Sequence, residues 1–108
     1  GEMHGEYVNW HSNGNKRCEF NYQDGKSHGV CITWHENGQK ETHSNYKYGR
    51  REGKTMGWYE NGQIQYEDNY EDGLLDGYSV SFRENGSKKK EENYKHGFCW
   101  NRTNHVEG

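Results

Sequence analysis

The chain has no proline, and only 27% of its 108 residues are apolar, with a mean hydropathy of −1.59. So polar a composition ordinarily marks a disordered segment. Two features oppose that reading. Aromatic residues make up 15% of the chain, including four Trp and nine Tyr, and the net charge is only −3. Rings of that size lose much by remaining in water. Fifteen Gly without any Pro point to many tight turns between strands and away from a flexible linker. No apolar run approaches 18 residues, which excludes a transmembrane helix. There is no secretory leader and no initial Met, so position 1 reads as an internal boundary or a cleavage point. Cysteine is also sparse. Cys18, Cys31 and Cys99 form an odd set, which argues against a disulfide-stapled scaffold and for free thiols in a reducing compartment. A cytoplasmic setting is slightly favoured on that ground, with an extracellular or surface location as the alternative. A helical period of three to four is missing too.

What the chain does have is a repeat. Gly5, Gly29, Gly53 and Gly77 are 24 apart, as are Gly14, Gly38, Gly62 and Gly86, and again Gly25, Gly49, Gly73 and Gly97. Asn21-Tyr22, Asn45-Tyr46, Asn69-Tyr70 and Asn93-Tyr94 keep the same phase. Trp10, Trp34, Trp58 and Phe82 form an aromatic row; Val8, Ile32, Met56 and Val80 form an aliphatic one. The whole of 1–108 therefore reads as one array with units 5–28, 29–52, 53–76 and 77–100. Residues 1–4 and 101–108 are partial flanking units, because Gly1 and His4 match the phase of Gly25 and His28 and Val106 falls in the Trp phase.

Each unit reads as a β-hairpin turning at Asn-Gly. A three-residue loop such as Glu36-Asn37-Gly38, with Gly in the left-handed conformation, pairs His35 with Gln39 and Trp34 with Lys40. Parity selects this loop over a two-residue turn. Of 29 apolar residues, 23 carry even numbers, and only this loop keeps even positions of both strands on one side. It places Trp58 opposite Ile64 and Met56 opposite Tyr66. The expected strands are 6–11 with 15–22, 30–35 with 39–46, 54–59 with 63–70, and 78–83 with 87–94, with a weak ninth near the end. The fold class is all-β: an elongated, single-layer, twisted antiparallel sheet of four tandem 24-residue hairpin repeats. One face is expected to carry the Trp/Phe, aliphatic and Tyr rows together, and the other to be polar. No unit buries enough to fold alone, so neighbours must support one another.

The pattern G-x-x-x-x-W-[HY]-E-N-G-Q-K followed by x-N-Y-x-x-G resembles the MORN-repeat-variant family, known from bacterial proteins often labelled YwqK-type antitoxins. The resemblance spans residues 1–100. It implies single-layer sheets of stacked hairpins, interaction and assembly scaffolds, some of them associated with membranes, and an antitoxin-like role in neutralising a partner protein.

Candidate chemistry is thin. His28 and Cys31 have ligand-like spacing, but His11 and His35 sit two strands apart, roughly 9–10 Å, too far to share a zinc ion. Cys18 and Cys31 are expected on opposite faces. No metal or other cofactor is expected. Nothing in the sequence assembles a nucleophile, base and orienting acid, so the chain reads as no enzyme. Glu36, Glu60 and Glu84 read as solvated turn positions. Lys88, Lys89 and Lys90 form a short basic run, with Lys89 expected on the face opposite the other two. The negative net charge leaves no broad footprint for nucleic acid and disfavours membranes. Asn85-Gly86-Ser87 and Asn101-Arg102-Thr103 match the glycosylation triplet by chance.

The aromatic rows are structural first, and then the natural contact surface: Trp10, Trp34, Trp58, Phe82, Tyr22, Tyr46, Tyr70 and Tyr94. The leading expectation is a scaffold that binds another protein or itself, through this face or through open sheet edges, with head-to-tail stacking possible. Antitoxin-like neutralisation, peripheral lipid binding and an extracellular fibre are the alternatives.

Overall fold

A computed structural model describes residues 5–106, and every regular element in it is a strand. The residues expected as a leading tail, Gly1 and His4, lie outside the described part, as do positions 107 and 108. In chain order the strands are β1 Gly5–Trp10, β2 Lys16–Gln23, β3 Lys26–Ser27, β4 Gly29–Trp34, β5 Lys40–Lys47, β6 Arg50–Arg51, β7 Gly53–Trp58, β8 Ile64–Glu71, β9 Leu74–Leu75, β10 Gly77–Phe82, β11 Lys88–Lys95 and β12 Phe98–Asn104. The full-length strands run β1-β2-β4-β5-β7-β8-β10-β11-β12 in one sheet. The two-residue strands β3, β6 and β9 pair with β2, β5 and β8. The body measures 52 × 36 × 12 Å, the thickness of a single layer. Its accessible surface is 6980 Å², above the roughly 6,300 Å² of a compact monomer of this mass.

The expected loop is present. In the second repeat the His35 N–H donates to the Gln39 carbonyl at 2.8 Å and Gly38 N–H donates to the His35 carbonyl at 3.0 Å, with Gly38 at φ 90°. The Asn37 side chain accepts from the Gln39 N–H at 2.9 Å, which explains why Asn precedes Gly in all four loops. Trp34 pairs with Lys40 and Trp58 with Ile64.

One residue beyond the loop, the faces invert. Thr33 pairs with Thr42, not Glu41, so Glu41 is left over as a bulge. Arg17, Gln65 and Lys89 occupy the same place in their repeats. After this bulge, even-numbered residues of the second strand share a side with odd-numbered residues of the first. Tyr46 therefore lies opposite Gly29, and Tyr66 opposite Gly57, while Met56 faces Glu67. The expectation of one aromatic and one polar face is corrected: Trp10, Trp34, Trp58 and Phe82 share one face with the aliphatic row, and Tyr22, Tyr46, Tyr70 and Tyr94 share the other. The even-number bias is real, but it reflects two apolar faces. The same inversion brings Cys18, paired with Thr33, to the side of Cys31, reversing their expected separation. It also parts Lys88, opposite Phe82, from Lys90, opposite Ser81, with Lys89 at the bulge between them.

The second connection in each repeat was not resolved from sequence into elements. Asp24 and Gly25 both have positive φ, 51° and 78°, as do Tyr48-Gly49, Asp72-Gly73 and His96-Gly97. These are two-residue hairpin turns of the type that matches strand twist. The returning chain pairs for two residues, bulges at His28-Gly29, and becomes the first strand of the next repeat. Gly29, Gly53 and Gly77 hold φ between 82° and 99°. At the corresponding place stands Asn101, whose φ is not positive, and the last connection slips by one residue: Glu91 pairs with Thr103 and Lys90 with Asn104. The expected final strand forms, but the slip takes Asn104 off the aliphatic row, and Val106 is 89% exposed.

Side-chain burial is shallow. Val80 is the single buried apolar residue among those described, alongside Ser44, Thr55, Ser79 and Glu92. Those four sit on the tyrosine face, where small polar side chains form a floor between the rings. Thr33 Oγ1 and Thr42 Oγ1 lie 2.5 Å apart across the pair. The Tyr66 ring lies over Gly57, where an added Cβ would come 2.2 Å from Tyr66 Cε1. Gly57→Ala is therefore expected to destabilise the fold by about 1–3 kcal/mol in urea denaturation. Combining it with Tyr66→Ala should cost less than the sum of the two single changes.

Candidate functional site

With so little core, the repeats are joined along their two margins. On the loop side, His11 Nε2–H donates to the Trp34 carbonyl at 2.7 Å, His35 Nε2–H to Trp58 at 2.8 Å, and the Tyr59 hydroxyl to Phe82 at 2.7 Å. A carbonyl only accepts, so Nε2 carries the hydrogen in both histidines. Arg83 fills the same role toward the His105 carbonyl, reaching 22 residues ahead where the others reach 23. The one-residue difference is the slip at Asn101. A second set of rungs uses the loop asparagines. Asn13 Nδ2 donates to the Glu36 carbonyl at 2.7 Å, Asn37 to Glu60 at 2.8 Å and Asn61 to Glu84 at 3.0 Å. On the opposite margin, Tyr48 N–H donates to His28 Nδ1, Asp72 N–H to Glu52 and His96 N–H to Asp76.

The histidines read from sequence as candidate ligands thus have structural roles. Among the described residues, no three His, Cys, Asp or Glu side chains converge as a metal site would require. Burial raises the pKa of Cys31, the direction opposite to an activated thiol.

Two hollows of 660 and 500 Å³ adjoin along the loop margin. The first is lined by His11, Arg17, Trp34, His35, Glu36, Asn37, Glu41 and Glu60. The second is lined by His35, Tyr59, Glu60, Asn61, Gln65 and Glu84. His35 and Glu60 belong to both, so the two form one groove across the strands. Glu36, Glu60 and Glu84, read from sequence as solvated turn positions, line it at one for each of the last three repeats, Ser12 holding the position in the first. Sequence reading missed this groove because it is formed between residues 23 apart in chain number. The available signal was that His11, His35, Tyr59 and Arg83 share one phase and all can donate.

The aromatic rows divide by exposure as well as by face. Trp10 is 58% exposed. Trp34, Trp58, Phe82 and all four row tyrosines are partly buried. Lys16 Nζ sits 5.7 Å from the Trp34 ring centre, and the Arg51 guanidinium lies 5.4 Å from the Tyr70 ring and bonds its hydroxyl. Most rings are therefore engaged within the sheet and leave one side uncovered.

A profile described as MORN repeat variant matches residues 3–24, 27–48, 51–72 and 75–96, most of the chain in four copies. The chain belongs to the MORN-repeat-variant family. The matched segments have the 24-residue period of the hairpins, and each ends inside a two-residue turn. MORN repeats are in general non-enzymatic and typically mediate protein or membrane interactions. Among curated proteins none matches the chain.

The last strand of this MORN array is fixed by ions on both faces. Glu91 accepts from the Tyr78 hydroxyl at 2.6 Å and contacts His105 Nε2 at 2.7 Å. Glu92 meets Arg102 at 2.6 Å and Lys90 at 3.3 Å. The Tyr78 hydrogen bond and then His105 lower the pKa of Glu91. Burial opposes the charge on Glu92, but Arg102, Tyr94 and Lys90 outweigh it and its pKa is also lowered. The bond to Glu91 pushes Tyr78 up to about 12. A depressed carboxylate contributes stability above its unfolded pKa of about 4.3, lost as pH falls through the folded value. A raised phenol contributes below about pH 10, lost as pH rises toward 12. The melting temperature should therefore fall at both ends, and absorbance at 295 nm should show a tyrosine titrating near 12 that disappears in Tyr78→Phe. Asn37→Ala removes a rung and a turn acceptor together and should cost about 1–3 kcal/mol, measured by urea denaturation.

Proposed function

We propose that this chain is a non-enzymatic scaffold that binds another protein, or a second copy of itself, through aromatic side chains on its two open faces. The observation that carries the reading is a sheet 12 Å thick whose large rings have no layer beyond them among the described residues. Tyr7 at 42%, Trp10 at 58% and Tyr78 at 38% exposure are of the residue types that anchor interfaces. The sheet offers more than 800 Å² on either side, the area of an ordinary protein interface.

Strand direction bears on self-association. Among the described residues nine full-length strands follow one another in antiparallel order, so β1 and β12 run the same way. Head-to-tail stacking would join them in parallel, unlike any other pair in the sheet. Were these strands paired between two copies, a twofold contact, β1 on β1 or β12 on β12, would keep the antiparallel ladder.

Light scattering after size exclusion, with a photoreactive residue placed at Trp10 or Tyr7, tests the reading. Covalent capture of a defined partner or a second copy at these positions is expected. Trp10→Ala and Tyr7→Ala should each weaken that association at least about fivefold while circular dichroism stays unchanged. A monodisperse monomer with no capture at either face would overturn the proposal.

A further inference from the structure

The loop-margin groove repeats with the sheet, and its period selects a ligand conformation. We infer that it binds a basic, proline-rich peptide in the polyproline II conformation, lying across the strands with one turn per repeat. This assignment rests on the scaffold reading above and names the partner chemistry for one surface.

Neighbouring repeats are two strands apart, about 9.4–9.8 Å. The asparagine rungs keep adjacent loops in contact, so that spacing holds at this margin. A polyproline II chain advances about 9.3 Å in three residues and presents the same side at each turn. Over the three steps joining four repeats the mismatch accumulates to only about 0.3–1.5 Å. An extended strand covers one repeat in about three residues, which turns successive contacts to opposite sides. Two turns of α-helix span about 10.8 Å and drift by about 3–4 Å over the same distance. Of the regular peptide forms, only polyproline II keeps step with this sheet.

The lining supplies the chemistry. His35 and Tyr59 present rings at equivalent places in successive repeats, each fixed by its bond to a carbonyl one repeat ahead. Aromatic-lined grooves with pre-set rings suit a ligand that loses little entropy on binding. Glu36, Glu60 and Glu84 add a carboxylate in each of the last three repeats, and Arg17 is the one Lys or Arg among the residues lining the two hollows. A cation at every third residue of the ligand would meet each carboxylate in turn.

Calorimetric titration of the full chain with the synthetic peptide (Pro-Pro-Lys)4 tests the inference. Binding is expected, about tenfold tighter than for (Pro-Pro-Pro-Lys)4, which carries the same charge at a period of about 12.4 Å. It should be lost for (Pro-Pro-Glu)4, and weakened about threefold by moving from 50 to 200 mM salt. Glu60→Gln, at the residue shared by both hollows, should weaken it about three- to tenfold with the circular dichroism spectrum unchanged. Equal affinity for the two lysine spacings would reduce the effect to charge and overturn the period argument. Absence of binding at millimolar peptide would overturn the assignment altogether. Trp10 and Tyr7 lie outside the groove, so either failure leaves capture at the faces unaffected, and loss of capture leaves the titration readable.

Discussion

The structure depends on a side chain in one repeat donating a hydrogen bond to the backbone of the next. His11, His35, Tyr59 and Arg83 do this along one line, and Asn13, Asn37 and Asn61 along another. In a domain with two layers, burial between the layers would fix the relative position of neighbouring hairpins. Here a single apolar residue, Val80, is buried among those described, so the ladder of strand pairs and these margin bonds must hold the register. They explain why the loop sequence is held so closely from copy to copy while the strand interiors vary.

Most of the fold was legible because the repeat has no insertions. The Asn-Gly loops gave the hairpins, the left-handed glycine and the cross-strand partners of the tryptophans. The faces were not legible beyond the loop. Glu41, Arg17, Gln65 and Lys89 are long polar side chains of the kind found on any exposed strand, so nothing in them marks a bulge, and only the positions of their neighbours show that a residue is left over. One such residue per repeat is enough to send the tyrosines to the other side. The groove was illegible for a different reason: its walls come from residues far apart in number that the inter-repeat bonds bring together.

The two faces have different physical character as a result. The tryptophan face combines bulky aliphatic and indole side chains with carboxylates such as Glu67 and Glu91. The tyrosine face sets phenol rings above a floor of Ser44, Thr55, Gly57 and Ser79. Tyr66 resting on Gly57 shows how that floor works: a ring lies flat where its cross-strand partner has no side chain, and recovers for the strand the contact that glycine lacks. A surface built this way offers ring edges and hydroxyls, while the opposite one offers broader hydrocarbon.

The loop-margin bonds all point in one sense, from an earlier repeat to the carbonyl of a later one. The chain is therefore vectorial, and its ends are not equivalent when they come apart. Peeling the first hairpin away leaves carbonyls of the second without their donors, and a carbonyl with a spare lone pair tolerates that readily. Peeling the last one leaves donors such as Tyr59 and Asn61 on the third repeat without their acceptors, a more costly loss. Opening is thereby biased to begin at the front and travel backward, giving a uniform ribbon a built-in direction of unzipping.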